Sequence, residues 1–180
     1  TQDSDWQDVL PAVSASFERC GNLARFTSKL ADVVRIPEPV RADLSLNELV
    51  RSVDALTRIE CRKRNISLSL SLADPDTIIR ADGIQLEQVL VNIVKNAYEA
   101  IGHDGRIRIV TTADPPSVTV EDNGPGIPEE IRKQLFTPFF TTKPSGQGIG
   151  LMFVREVLNN HRMAFSLTSQ NGCTRFEISV

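Results

Sequence analysis

The chain reads as an α+β fold, a two-layer sandwich of helices on one mixed sheet, with a long helix in front of it. Three stretches predict this. ISLSLSL at 66–72 alternates apolar and polar groups strictly, which is the period of a half-buried strand. Residues 83–101 carry Leu86, Val89, Leu90, Ile93, Val94, Ala97 and Ile101 at helical spacing, so that helix has one apolar side to cover. Residues 163–169 and 174–180 flank Asn171-Gly172, the chemistry of a closing hairpin. A sheet and a set of helices, each apolar on one side, bury each other as two layers.

The remaining elements follow in order. Trp6, Val9, Leu10, Val13, Phe17, Cys20, Leu23, Leu30 and Val34 recur in steps of three and four, one stripe on a long helix over 6–34. Such a helix cannot bury its own stripe and must pack on the next domain or on a partner helix. Ile36-Pro37-Glu38-Pro39 stops it, and the chain reads as a linker through Asp43. The organisation is then an N-terminal helix and linker, 1–42, and a domain, 43–180. Ser45-x-x-Glu48 has the form of a capping box, opening a helix with Leu46, Leu49, Val50, Val53 and Leu56 on one side. Thr77–Arg80 reads as a short strand, and Asp82 as the N-cap of the 83–101 helix. Strands follow at 106–113 and 117–122. Pro128, with two acids behind it, begins a short helix to 135. Residues 137–148 are loop-like, and 149–160 are helical.

Composition excludes several functions. Hydrophobic residues make up 41% and charged residues 24%, so the chain can bury a core. A net charge of −3 argues against nucleic acid as the main partner, because phosphates need a basic surface. No apolar run is long enough for a membrane segment, and TQDSDWQD lacks a signal core, so a cytoplasmic chain or a cytoplasmic piece of a larger protein is expected. Cys20, Cys61 and Cys173 are odd in number and lack C-x-x-C spacing, which reads as free core thiols in a reducing compartment.

Three stretches carry chemistry. Asn92 and Asn96 are four apart and project from one helix face. An amide oxygen is a hard, neutral donor suited to Mg²⁺; taken alone, the pair reads rather as solvated surface polar groups. VEDNGPGIP, 120–128, ends a strand on Asp122. An ionised carboxylate only accepts hydrogen bonds, which suits an exocyclic amine such as adenine's, while Gly124 and Gly126 let a flat ring approach the backbone. A plain turn would use the same residues. Finally, Lys143 and the glycines at 146, 148 and 150 run directly into a helix, which offers free N–H groups and a positive dipole end to an anion. A flexible hinge is the alternative. The spacing is neither a dinucleotide fingerprint nor a P-loop.

Taken together and in this order, these stretches resemble the catalytic ATP-binding domain of bacterial sensor histidine kinases, a Bergerat-type fold shared with gyrase, Hsp90 and MutL proteins. QLEQVLVNIVKNAYEAI is similar to the N box, EDNGPGIP to the first glycine box, LFTPFF to the F box and GQGIGL to the second glycine box. GCTRFEISV resembles the closing strand, and the FFTTK wording is most similar to the nitrogen-regulation type. The resemblance implies ATP and Mg²⁺ as cofactors, with Asn96 on the metal. It implies nucleotide contacts at Asn92, Lys95, Asn96, Asp122, Gly124, Gly126, Ile127, Lys143, Gly146, Gln147, Gly148, Ile149, Gly150, Leu151 and Thr174. Phe136, Phe139 and Phe140 would anchor the phosphate loop.

The resemblance also bears on the reaction. Family members that hydrolyse ATP carry a glutamate four residues before the metal asparagine; this chain has Asn92 there, so phosphoryl transfer to protein is implied, with slow hydrolysis. The family's acceptor is a histidine in its own box on a helical hairpin. The two histidines here, His103 in a turn and His161 at a helix end, have no such box, so no catalytic residue is assigned and the acceptor is expected outside this chain. Implied partners are a histidine-bearing dimerisation hairpin, for which 6–34 resembles the second helix, and a response regulator receiver domain. A homodimer of the full-length protein is also implied. A serine kinase of the anti-sigma-factor type and a non-catalytic nucleotide-binding scaffold are the other readings.

Overall fold

The computed structural model describes residues 36–143, 146–170 and 172–180. The expected 6–34 helix, Cys20, Pro144, Ser145 and Asn171 lie outside them. The chain divides into two units, Thr1–Pro37 and Glu38–Val180, and every described element belongs to the second. These are β1 (Ala42–Ser45), α1 (Leu46–Lys63), β2 (Ile66–Ser71), β3 (Ile78–Ala81), α2 (Gly83–Ile101), β4 (Gly105–Ala113), β5 (Pro116–Asp122), α3 (Glu129–Arg132), α4 (Gly150–His161), β6 (Ala164–Gln170) and β7 (Cys173–Ser179).

The main sheet is mixed and five-stranded, in the order β2-β4-β5-β7-β6. β2 and β4 pair in parallel, with α2 in the connection between them, and the other neighbours are antiparallel. Helices α1, α2 and α4 supply the second layer. The seam between layers holds Val50 and Val53 of α1, Val89 and Val94 of α2, Ile107 and Ile109 of β4, and Val154 and Leu158 of α4, all essentially inaccessible to water. The α+β two-layer expectation holds, with one addition. β1 and β3 form a separate antiparallel ladder, Ala42 opposite Ala81 and Ser45 opposite Ile78.

That ladder corrects the linker reading, because Ala42 and Asp43 already lie in a strand. ADLS has a single large apolar residue, so nothing local marks it; its partner β3 makes it a strand. Leu56 is a second correction. It is 59% exposed, because the buried face of α1 runs through Val53, Thr57 and Cys61 instead. Thr57 tolerates that face because its hydroxyl donates to the Val53 carbonyl at 2.8 Å. The short helix after Pro128 is also shorter than expected, ending at Arg132.

Both expected N-caps form. Ser45 Oγ accepts from the Glu48 N–H at 2.9 Å, while the Glu48 carboxylate turns to Arg51 instead of closing the box. Asp82 Oδ1 accepts from the N–H groups of Ile84 and Gln85, both at 3.1 Å, and Oδ2 accepts from Val40 N–H at 2.9 Å. The Asp82 N–H in turn donates to His161 Nε2 at 3.0 Å. One residue thus joins the start of α2, the end of α4 and the chain entering β1.

Candidate functional site

Side chains alternate along a strand, so Val118, Val120 and Asp122 of β5 share the side that faces α2. Asp122 ends that apolar row, opposite Ile107 of β4 and Thr174 of β7. Beyond it a cleft of about 510 Å³, counting its open mouth, lies between α2, the strand ends and the start of α4. Ile93, Ala97 and Ala100 of α2, Leu167 of β6 and Phe176 of β7 supply apolar walls, with Asn96, Asp122 and Thr174 as polar points. Gly126, Ile127 and Leu151 complete the lining.

Asp122 is an ionisable group at the apolar end of this cleft. Burial pushes its carboxyl above the usual carboxylate range, and the Gly124 N–H, donating to Oδ1 at 2.8 Å, pulls partly the other way. Gly124 is glycine for a steric reason: a Cβ there would come within 2.8 Å of the same oxygen. Gly126, at φ +83°, turns the loop back so that Ile127 N–H donates to Ser169 Oγ at 2.9 Å. Ser169 Oγ lies 3.4 Å from Thr174 Oγ1, so the glycine loop is tied to β6 and β7 beside Asp122.

Asn92, Lys95, Lys143, Gly146, Gln147, Gly148, Ile149 and Gly150, also expected at the site, are not among the residues lining the cleft. Asn92 donates from Nδ2 to the Gln88 carbonyl at 3.0 Å, and its Oδ1 lies against Gly150, where a Cβ would be 3.2 Å away. Lys95 is exposed and 3.9 Å from Glu99. Lys143 Nζ donates to Asn96 Oδ1 at 3.2 Å and is ion-paired with Glu99. Gly146 N–H donates to the Lys143 carbonyl at 3.0 Å. Gly148 sits at φ +65° with its carbonyl taking the Phe139 N–H at 3.1 Å. Gln147 is exposed. Ile149 precedes α4 and gives no side-chain cap, so the first N–H groups of that helix, from Gly150 and Leu151 onward, carry no side-chain partner there.

The aromatic expectation divides. Phe136 packs on Phe165 at 5.3 Å between centroids, and Phe165 stacks on Phe176 at 5.8 Å. Phe139 is 50% exposed, and Phe140 is partly buried. Of the described thiols Cys61 is buried, but Cys173 is exposed, so it is no core thiol. His161 is buried with both ring nitrogens engaged, Nε2 by Asp82 and Nδ1 on the Val157 carbonyl at 2.8 Å. His103 is exposed in its turn. Ser169 and Glu99 escaped the sequence reading. Ser169 reaches the site only through the β6–β7 register, which pairs it with Thr174, whereas Glu99 is three residues past Asn96 and could have been found by helical spacing.

Among the described residues no group of three or more His, Cys, Asp or Glu is placed to hold a metal. No described helix is long and apolar enough to cross a membrane.

A helical layer on a mixed sheet, a carboxylate at the end of an apolar cleft and a glycine-rich loop feeding an uncapped helix define an ATP-binding domain. The family model described as histidine kinase-, DNA gyrase B-, and HSP90-like ATPase matches residues 81–180, and the chain belongs to that family, on the side of the sensor histidine kinases. It is 34% identical to sporulation kinase A of Bacillus subtilis over 87% of this chain and 27% of that protein. It is 31% identical to the sensor protein FixL of Bradyrhizobium diazoefficiens over 97% of this chain and 36% of that one. The chain therefore spans about a third of the length of these relatives. Among solved structures, the catalytic domain of histidine kinase ThkA matches at TM-score 0.71 and 35% identity, over 78% of this chain and 94% of that one. ThkA in complex with the response regulator protein TrrA matches at TM-score 0.73 and 27% identity, over 91% of this chain and 48% of that one.

Proposed function

We propose that Glu38–Val180 is the kinase domain of a two-component sensor histidine kinase, binding ATP in the cleft and delivering its γ-phosphoryl group to a histidine other than His103 and His161. The observation that carries this reading is Asp122: a carboxylate at the end of an apolar cleft, with the Gly124 N–H on Oδ1, leaves its other oxygen open to a donor from a ligand. An adenine amino group supplies one; a guanine carbonyl in that place would be repelled. Thr174 and the backbone of Gly124, Gly126 and Ile127 line the base. Lys143 and the loop Gly146, Gln147, Gly148, Ile149, Gly150 and Leu151 take the phosphates, with Asn92 and Lys95 on the phosphate side of α2.

A divalent cation fits the donor set. The Asn96 amide oxygen already accepts from an ammonium, and one neutral oxygen suits Mg²⁺, which keeps several waters and phosphate oxygens. Bound there, the ion would neutralise phosphate charge. The chain's own work is positioning. The acceptor imidazole nitrogen forms a bond to the γ-phosphorus, the bond to the bridging oxygen breaks, ADP carries away that electron pair, and the imidazole releases its proton. Asn92 cannot act as a base toward water, so hydrolysis is slow. A histidine-bearing dimerisation hairpin and a response-regulator receiver domain are the partners this reaction requires. The likeness to ThkA, crystallised with TrrA, supports the second.

Calorimetric titration with a non-hydrolysable ATP analogue tests the reading. Asp122→Asn exchanges an acceptor for an amide and is expected to raise the dissociation constant at least tenfold, in line with about 1.5–3 kcal/mol for a hydrogen bond to a charged group. Undiminished affinity in that variant rejects the adenine assignment.

A further inference from the structure

The glycine-rich loop delivers Lys143 onto α2 rather than into open solvent. Its Nζ is paired with one Glu99 oxygen and donates to Asn96 Oδ1 at 3.2 Å. The other Glu99 oxygen faces Lys95 Nζ at 3.9 Å. Asn96 and Glu99 lie one turn apart and so present one face to the mouth of the cleft. If Lys143 is to meet a terminal phosphate, two anions want the same ammonium. Bridging both would hold a carboxylate against a triphosphate, and like charges at contact repel strongly at a partly buried site.

We propose that Glu99 is an internal competitor for nucleotide phosphate: its carboxylate holds Lys143, and a bound triphosphate displaces it. This rests on the nucleotide reading of the cleft. Lys95 eases the exchange, since Glu99 keeps a counter-charge after Lys143 leaves. The pair is partly exposed, 39% for Lys143 and 28% for Glu99, so competition lowers triphosphate affinity by at most about fivefold. Glu99 is therefore a specificity-determining residue. It weakens binding through the phosphates and leaves the base untouched.

The test compares wild type, Glu99→Gln and Asp122→Asn, each titrated with a non-hydrolysable ATP analogue and with adenosine. Glu99→Gln keeps the side-chain shape and removes the charge. It is expected to bind the triphosphate analogue about three- to fivefold tighter, with adenosine affinity unchanged. In the nucleotide-free protein Lys143, freed of its partner, is expected to acetylate faster in Glu99→Gln than in wild type, as read by peptide mass analysis. Triphosphate binding that is unchanged or weaker, equal tightening of both ligands, or equal acetylation rates overturns the proposal. Asp122→Asn binding the analogue as well as wild type would instead sink the nucleotide reading itself, a separate result in a separate variant.

Discussion

On β5 the side chains facing α2 run Val118, Val120, Asp122, so a carboxylate stands where the pattern calls for another apolar group. Desolvation raises its pKa, and the single Gly124 N–H does not offset that. In the nucleotide-free domain a raised carboxyl pKa favours the protonated form. The stability it contributes is complete below the unfolded carboxylate pKa and is lost as pH rises through the folded value. In the proposed nucleotide complex the linkage runs the other way, because an amino donor needs the ionised acceptor. Affinity for an ATP analogue is therefore expected to be full above the raised pKa and to fall about tenfold per pH unit below it. Titrations across mildly acidic pH check this; a flat profile, or the same midpoint in Asp122→Asn, contradicts it. Asp122, Gly124 and Gly126 were legible in the sequence because a strand-ending carboxylate before two glycines has a local signature. Ser169 was not, because its Oγ meets Ile127 and Thr174 through strand register, which no local pattern carries.

At the scale of elements, legibility followed locality. Helix α2 begins and ends at the residues its apolar spacing and Asp82 predict, since both signals lie within the segment. Strand β1 was invisible because its only reason to be extended is β3, and Leu56 was misassigned because a self-satisfied threonine took its place on the buried face. Asp82 does more than its capping signature announced, accepting from Val40 as well as from two α2 N–H groups. Asp82→Ala is expected to destabilise the domain by about 1–2 kcal/mol, the upper range for an N-cap, because three N–H donors lose their acceptor. Urea unfolding followed by circular dichroism measures it; a loss below about 0.5 kcal/mol would mean that water replaces the carboxylate without penalty.

Across the whole molecule, the cleft draws its walls from α2, β5, β6, β7 and α4, elements spread through most of the domain. A ligand that binds there binds only the folded chain. An ATP analogue at a hundred times its dissociation constant is thus expected to raise unfolding free energy by about 2.7 kcal/mol. Differential scanning calorimetry should show the melting shift in wild type and a much smaller one in Asp122→Asn at equal ligand. Equal shifts in both would place the ligand elsewhere. The sandwich as a whole was readable from three segments, because each buries one side only and two layers are the way to satisfy all three. What the segments could not reveal was which helices are fastened to which.

That fastening has a mechanical consequence. α4 meets α2 through His161 on Asp82 at one end, and at the other Gly150 lies so close to Asn92 that a Cβ would stand 3.2 Å from its amide oxygen. A single pivot would leave a rod free to swivel; two pivots set its bearing. The positive end of α4, where Leu151 lines the cleft, is thus set by contacts within the protein itself, and an anion of the proposed ligand would find that alignment already made.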